Sequence, residues 1–354
     1  MSTTEVGSTT GVMAGSKPVT TGTTKAGWPL WKKLTLVGVI LIVAIGLGVG
    51  LGVGLTRGNG DDDDSGSGDG DNSGDGDNSG DDDTNTNNTS VWQPAVGASW
   101  QIILKYPISL DDDSTDGLAP NVSIWDLDLY DNDISIFKAL SDAGKHVICY
   151  FSAGSWEDWR DDAGDFADAD LGKGLDGWEG EKWLNISSPA VRKIMKKRIK
   201  YASDKGCNAI DPDNVDGYQN ENGLSLTKED TISYVKFLSN EAAQYNMSTG
   251  LKNAGGIISD VLDYVHFSVN EQCIEYSECE TFSAFIDADK PVFNIEYPSK
   301  APKVSSSAKS EICSTSGNAA GSNKFSKVIK KMILDGWVEY CGTTKTYTTE
   351  VDKS

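Results

Sequence analysis

Three carboxylates stand within six residues of one another in the middle of the chain, at Asp211, Asp213 and Asp216. They follow an apolar run at 207–210, which predicts a short buried strand, and they lead into a stretch rich in Gly, Asn and Gln, which predicts a loop. Asp, Pro and Asn are also common turn residues, so a purely structural turn is the alternative. A core strand that delivers three acids to a loop favours a site where carboxylates act on a ligand.

Polar side chains also stand at the ends of the other predicted strands. They are Asp126 and Asp128, Tyr150 and Ser152, Lys252 and Asn253, Glu271, and Glu296 with Tyr297, while Tyr218 lies in the loop after the three acids. Two carboxyl groups in one pocket can act as nucleophile and general acid/base on a glycosidic bond. Several carboxylates could instead hold a hard cation, and a lysine could form a Schiff base with a carbonyl substrate. The late strands lack phosphate-binding glycines, and no CxxC pair or histidine cluster suggests zinc, so we expect no cofactor and no metal.

The elements that must position these side chains alternate between strands and helices from residue 91 onward. Apolar runs predict strands at 100–104, 122–126, 146–152, 207–210, 248–252, 265–269 and 291–295, with a candidate eighth between 328 and 340. Helical spacing and cap residues predict helices at 134–143, from 189 to Gly206, after Thr227, at 257–264 and at 278–288. This order predicts an α/β protein with a (β/α)8 TIM barrel. A doubly wound sheet is the alternative, but residues 106–109 are not the Gly-rich phosphate loop that such a sheet carries.

Residues 34–56 are apolar, Gly or Thr and carry no charge, and this 23-residue length exceeds the roughly 20 residues that span a bilayer. Lysines precede the stretch and Arg57 and aspartates follow it. We therefore expect a cytoplasmic tail at 1–33, a transmembrane signal anchor at 34–56, and an extracellular domain at the plasma membrane, open to shedding. A cleaved signal peptide is the alternative, although the 33-residue leader is long for one. Glycines at 46, 50 and 54 could form a homodimer face in the span.

Residues 57–90 consist mainly of Asp, Gly, Ser and Asn, with eleven aspartates between 61 and 83. Such a segment has nothing to bury, so it is predicted to be a disordered linker ahead of a folded domain at 91–345. Residues 61–83 carry half of the formal net charge of −22. The acidity of the whole chain therefore says little about the folded domain, and it excludes nucleic acid as an expected partner.

Cysteines and glycosylation sequons support an exported domain. The six cysteines permit 15 full disulfide pairings. Cys273 and Cys279 are close in sequence and form the first expected pair, and Cys313 with Cys341 would tie down the C-terminal tail. Sequons that predict a glycoprotein open at Asn87, Asn88, Asn121, Asn185 and Asn246.

Eight short motifs occur in order between residues 125 and 297. They are WDLD at 125–128, CYFSAG at 149–154, EDWR at 157–160, WLNI at 183–186, DPDNVDGY at 211–218, LKN at 251–253, NEQC at 270–273 and EY at 296–297. Together they resemble glycoside hydrolase family 114 over residues 92–297 and onward to about 341. Many relatives have Glu where this chain has Asp211.

The resemblance implies a barrel enzyme that cuts α-1,4-linked galactosamine polymers, and the same domain is often labelled an α-galactosidase. It implies a retaining mechanism with Asp213 as nucleophile and Glu271 as acid/base, and the reverse assignment stays open. Asp126 and Asp211 are the alternative catalytic carboxylates. Glu296 is the second candidate for the acid/base. The other strand-end groups are then expected to bind the galactosamine- or galactose-containing polysaccharide: Asp126, Asp128, Tyr150, Ser152, Asp211, Asp216, Tyr218, Lys252, Asn253, Glu296 and Tyr297. The alternative function is a non-catalytic wall-glycan-binding module on a membrane stalk.

The membrane topology gives a first prediction. Protease added to intact cells should release the domain by cutting the linker at 58–90, because an exposed polar segment is the preferred place for proteolysis. Immunoblotting of the medium and of the cell pellet measures the release. A domain that stays fully protected until the cells are opened would rule out this orientation.

Overall fold

The computed structural model describes residues 91–110, 115 and 118–353. The predicted tail (1–33), signal anchor (34–56) and linker (57–90) lie outside the described residues. No helix among the described residues is long and apolar enough to cross a membrane. The last strand of the domain extends to Thr348, slightly past the expected boundary at 345.

The described chain contains thirteen strands. In chain order they are β1 (Trp100–Ile103), β2 (Ile124–Asp128), β3 (His146–Ser152), β4 (Ser155–Glu157), β5 (Leu171–Gly174), β6 (Glu181–Leu184), β7 (Ala209–Asp213), β8 (Ser248–Lys252), β9 (Phe267–Glu271), β10 (Val292–Glu296), β11 (Ser326–Ile329), β12 (Trp337–Tyr340) and β13 (Thr346–Thr348). Ten of them form one sheet in the order β1-β2-β3-β7-β8-β9-β10-β11-β12-β13. The first eight strands of that order are parallel, and β12 and β13 are added antiparallel.

Several strands end later than the sequence predicts. The predicted strands at 122–126, 207–210, 265–269 and 291–295 are observed at 124–128, 209–213, 267–271 and 292–296. Apolar runs mark only the part of a strand that packs against hydrophobic neighbours. The polar residues at these strand ends still pair with neighbouring strands, Asp213 with Ser152 and Glu271 with Ile295, so the backbone stays extended through them.

The helices connect consecutive parallel strands. They are α1 (Ile134–Asp142), α2 (Pro189–Lys205), α3 (Lys228–Ala243), α4 (Ile258–Val261), α5 (Cys279–Asp287) and α6 (Ser306–Ile312). The predicted caps are confirmed, because Thr227 and Asp230 form a capping box on α3 and Gly206 ends α2 in the left-handed region at φ 88°. Helix α4 is shorter than predicted, and α6 was not predicted. The polar segment between β3 and α2 forms a separate antiparallel sheet in the order β4-β6-β5, which we call the excursion sheet.

Side chains bring the first and eighth parallel strands together. Trp100 Nε1 donates to the Ser326 carbonyl at 2.8 Å, and the Tyr340 hydroxyl donates to the Trp100 carbonyl at 2.8 Å. The buried Lys330 ammonium donates to Gln101 Oε1 at 3.0 Å. The sheet is therefore curled, and the domain is a mixed α/β structure of TIM-like form.

An apolar cluster fills the inner face of the curled sheet. Trp100 packs against Phe293 with ring centroids 4.9 Å apart, and Phe267 meets Phe293 edge-on at 5.7 Å. Successive side chains of a strand point to opposite faces. The inner face of β9 therefore continues from Phe267 to Glu271. A second, larger cluster packs the helices against the outer face.

All six cysteines form disulfides. The two predicted pairs, Cys273–Cys279 and Cys313–Cys341, are confirmed. The third pair, Cys149–Cys207, links β3 to a position two residues before β7, with Cα atoms 6.0 Å apart. It ties together two strands that carry polar residues at their ends.

Gly154 lets β3, β6 and β7 approach one another at the point where the excursion begins. Its N–H donates to the Asp213 carbonyl at 3.0 Å, and its carbonyl accepts from Leu184 N at 2.9 Å. A Cβ atom on Gly154 would lie 1.8 Å from the Asn214 carbonyl oxygen. Only glycine fits between these backbones.

Replacing Gly154 with alanine should therefore lower the free energy of unfolding by about 1–3 kcal/mol, since the new methyl group forces two backbones apart. Urea unfolding of the domain measures this change. Gly164→Ala is the matched control, because a Cβ atom there meets nothing within 4 Å. Equal stability of the two variants would show that the β3–β7 approach tolerates an added carbon.

Candidate active site

Lys252 lies at the centre of the strand-end polar groups. Its ammonium is 3.2 Å from Asp213 Oδ2, 3.8 Å from Glu271 Oε2 and 3.9 Å from Asp211 Oδ2, and the lysine side chain is 2% exposed. Burial alone lowers the pKa of a lysine, but the surrounding carboxylates outweigh burial and raise the pKa of Lys252. The three strands β7, β8 and β9 are neighbours in the sheet, so their last residues meet around one positive charge.

Asp213 is held by donors on three sides. Besides the lysine, the Tyr150 hydroxyl donates to Asp213 Oδ2 at 3.0 Å, and the backbone N–H of Asn214 donates to Oδ1 at 2.7 Å. The Asn214 side chain is fixed in turn by the hydroxyls of Ser152 and Ser155, each at 2.9 Å. Donors to both oxygens fix the orientation of the carboxyl, and the Asp213 side chain remains 17% exposed.

Glu271 is held in a similar way from the opposite side of the lysine. Asn253 Nδ2 donates to Glu271 Oε2 at 3.0 Å, and the Tyr297 hydroxyl donates to Oε1 at 2.5 Å. Asn253 also accepts from the Glu271 backbone N–H at 2.9 Å. The Glu271 side chain is 25% exposed, so this carboxyl can reach solvent and a ligand.

The shared lysine limits the separation of the two carboxyl groups. Asp213 Oδ2 and Glu271 Oε2 both lie close to Lys252 Nζ, so they are at most about 7 Å apart, the sum of the two distances. Glycosidases place their paired carboxyls roughly 5–9.5 Å apart, depending on whether a water must fit between them. The pair can therefore flank one glycosidic bond.

Asp126 and Asp211 lie beneath this pair with no exposure to solvent. Burial raises the pKa of Asp126 well above its ordinary value, and the nearby Asp211 raises it further. Burial, partly offset by Lys252, raises the pKa of Asp211 to about 7. Both were predicted to bind substrate, but side chains with no exposed surface cannot touch a sugar. Their position assigns them to the support of the site.

Two other predicted residues are engaged elsewhere. Asp128 pairs with the buried Arg160 at 2.7 Å and accepts from two turn N–H groups. Glu296 is buried and accepts from Ile274 N at 3.0 Å and from Asn294 Nδ2 at 3.2 Å. It follows Val292 and Asn294 in the strand alternation, so it points to the outer face of the sheet. The structure does not bring Asp128 or Glu296 to Lys252, and a reserve acid/base role for Glu296 does not agree with its position.

The remaining predicted residues lie around the pair. Asp216 lies near Asp213, and burial raises its pKa to about 6. Tyr218 is half-buried beside it, and its hydroxyl accepts from Gln219 at 2.5 Å. Ser152 is buried and supports Asn214, so it acts through that side chain. Within the described residues, no group of His, Cys, Asp and Glu side chains is arranged to hold a metal ion.

Sequence reasoning missed Glu181 and Ser155. The Ser155 hydroxyl donates to Glu181 Oε2 at 2.7 Å. Burial raises the pKa of Glu181 to about 7, and the charges of Glu157 and Asp213 contribute, so Glu181 is a further carboxyl close to Asp213. Glu181 begins β6, in the excursion sheet. Local patterns carried no signal for it, because it reaches the site only through the pairing of β4 with β6.

A match to a protein-family model identifies the family to which this arrangement of carboxylates belongs. The model of glycoside hydrolase family GH114 matches residues 81–346, which include every element of the site. The chain belongs to family GH114. It is a glycosidase, as the paired carboxylates predict.

One solved structure supports the same assignment, and a second shares the fold. The GH114 chain is 52% identical to Ega3 from Aspergillus fumigatus, solved in complex with galactosamine, with a TM-score of 0.66 over 72% of this chain and 98% of that one. The glycoside hydrolase domain of PelA from Pseudomonas aeruginosa is 12% identical, with a TM-score of 0.51 over 72% and 99% of the two chains, which is a likeness of fold alone. No curated protein sequence gives a significant match.

The geometry predicts the effect of removing each exposed carboxylate. Asp213→Asn and Glu271→Gln should each lower kcat by at least about 100-fold while the fold stays intact, because each variant loses one of the two carboxyls that are predicted to act at the bond. Reducing ends released from an α-1,4-linked galactosamine polymer measure the rate, and circular dichroism checks the fold.

Two neighbouring carboxylates serve as controls. Glu275→Gln changes an exposed side chain that accepts only from Gln272, so its rate should stay near that of the unmodified protein. Asp216→Asn should lower kcat less than Asp213→Asn does, because Asp216 does not contact Lys252. Near-normal hydrolysis by either catalytic variant would remove that residue from the pair.

Proposed function

We propose that the protein hydrolyses a galactosamine-containing polysaccharide, with Asp213 as nucleophile and Glu271 as general acid/base. The observation that carries the proposal is the convergence of these two partly exposed carboxyls on one buried lysine. The finer points of the proposal are a retaining outcome, a closed (β/α)8 barrel, and a membrane anchor at 34–56 that leaves the glycosylated domain outside the cell. Glycines in the anchor would support a homodimer.

The two carboxyls divide the reaction between them. Asp213 Oδ attacks the anomeric carbon while the glycosidic C–O bond breaks, and Glu271 gives its proton to the departing oxygen. Water then attacks the sugar carbon of the covalent intermediate and loses a proton to Glu271, which frees the Asp213 carboxylate. The net reaction consumes one water and restores both groups.

The contacts support this assignment of roles. Asp213 receives the shorter lysine contact, a tyrosine hydroxyl and a backbone N–H, all of which stabilise its negative charge. Glu271 is farther from the ammonium and more exposed, so it can exchange a proton with the leaving group and with water. Lys252 also neutralises part of the charge that the two acids would otherwise impose on each other.

Charge and the solved relative support a cationic sugar as substrate. Four acids lie at the place proposed for the glycosidic bond: Asp213, Glu271, Asp216 and Glu181. Lys252 is the single base among the groups that contact Asp213 and Glu271, and it is buried below them. Free galactosamine carries an ammonium near neutral pH, so opposite charge favours its binding. The relative that is 52% identical was solved with galactosamine.

The acetylation state of the polymer tests this preference. At low salt the protein should cleave a deacetylated galactosamine polymer at least about 10-fold faster than the same polymer after chemical N-acetylation, because acetylation removes the attracting charge. Product masses and reducing ends measure cleavage, and the preference should shrink as salt is added.

Three results would separate the alternatives. Faster cleavage of the fully acetylated polymer at low salt would refute the charge argument. Cleavage of α-galactosides in preference to both polymers would replace galactosamine with galactose. Binding of either polymer without any cleavage would replace the enzyme with a glycan-binding module.

A further inference from the structure

Asp126 and Asp211 are the most deeply buried acids of the site. They lie on the inner face of β2 and β7, two strands that flank β3, and the two carboxyls are close enough that the charge of Asp211 raises the pKa of Asp126. Neither carboxyl receives a hydrogen bond from any other side chain or backbone N–H among the described residues. Lys252 Nζ, at 3.9 Å from Asp211 Oδ2, is the cation that faces them.

Two adjacent carboxyl groups without solvent cannot both be ionised. The transfer of each charge out of water is costly, and the repulsion between two like charges at contact is strong in a medium of low dielectric constant. A single proton removes both costs, because one carboxyl then donates to the other. Asp211 lies nearer the ammonium, so the negative charge is more stable on Asp211 and the proton on Asp126.

We propose that Asp126 and Asp211 share one proton and act as a positioning pair, with Asp126 neutral and Asp211 as the anion that holds Lys252 between Asp213 and Glu271. The proposal rests on the catalytic roles proposed above for these two carboxyls. Asp126 and Asp211 are not catalytic residues, since neither can touch the sugar.

The pair controls how strongly the lysine acts on the acids above it. The ammonium is attracted downward by Asp211 and upward by Asp213 and Glu271. Without the lower anion, more of its charge would act on Asp213 and Glu271, and their attraction to the ammonium would be stronger. Tyr150 donates to Asp213 and Tyr297 donates to Glu271. Asp216 adds a negative charge beside them. These groups and the four carboxyls around the lysine together set how strongly the ammonium attracts Asp213 and Glu271.

Infrared spectroscopy of the substrate-free domain tests the shared proton directly. A buried protonated carboxyl gives a carbonyl stretch that ionised carboxylates do not give. This band should persist in the unmodified protein at a pH above the value of about 7 to which burial raises the pKa of Glu181, because the pKa of Asp126 is raised well above its ordinary value. Asp126→Asn should abolish it, because the amide replaces the protonated acid and donates to Asp211 in its place. Asp204→Asn changes an exposed acid on α2 that pairs with Lys200, and it should leave the band in place.

The pH dependence of kcat/KM tests the positioning role. Asp211→Asn should move both limbs of the profile to lower pH by about one unit, as expected when a charge about 4 Å from the lysine is lost. Asp126→Asn should leave both limbs nearly where they are, because it replaces a neutral group with a neutral group. A structural role alone would lower the rate without moving the limbs.

The outcomes distinguish this proposal from the proposed function. Absence of the carboxyl band in an active protein would overturn the shared proton alone. Equal shifts of the limbs in both variants would overturn the division of roles within the pair. If Asp211→Asn fails to fold, the band and the Asp126→Asn profile still decide. A protein that shows the band and cleaves neither polymer would refute the proposed function and leave the shared proton standing.

Discussion

The site depends on one ammonium buried among carboxylates. Lys252 is 2% exposed, and a lysine so far from water keeps its charge only when anions surround it. The converse also holds, since the acids could not be crowded together without the ammonium between them. Strands β7, β8 and β9 must therefore end close to one another, and the parallel register provides this. Ala209 pairs with Ser248 in β7–β8, which puts Asp213 level with Lys252, and Lys252 pairs with Val269 in β8–β9, two residues before Glu271.

Backbone conformation ends these strands where the cluster needs them to end. Each of the three is followed directly by an amide residue in the left-handed region: Asn214 at φ 61°, Asn253 at φ 47° and Gln272 at φ 61°. This region is disfavoured for most residues other than glycine, and asparagine is among those that adopt it most readily. The sharp change of direction lets Asn214 donate its backbone N–H to Asp213, and it places the Asn253 side chain on Glu271. Local strain is thus located beside the acids that it orients.

Much of this arrangement could be predicted from local patterns. The order of strands and helices, two disulfides and the converging strand ends follow from periodicity, caps and spacing. Glu296 was wrongly predicted to lie in the site. The two-residue alternation of a strand places Glu271 on the inner face of the sheet and Glu296 on the outer face, and this could have been read from the sequence. The partners of Asp128 and Glu181 could not be predicted, since Arg160 and Ser155 reach them through the excursion sheet, whose pairing is set by tertiary contacts.

The same carboxylates must serve the lysine below and a substrate above. A carboxylate has about four lone-pair positions, so Asp213 can bind the ammonium and Tyr150 and keep room for the sugar. A cationic substrate would compete with Lys252 if both approached from one side, and burial of the lysine prevents this. Attraction of the substrate then depends on the acids nearest to it, Asp213, Glu271, Asp216 and Glu181, because charges more than about 8 Å from a ligand are largely screened at physiological salt.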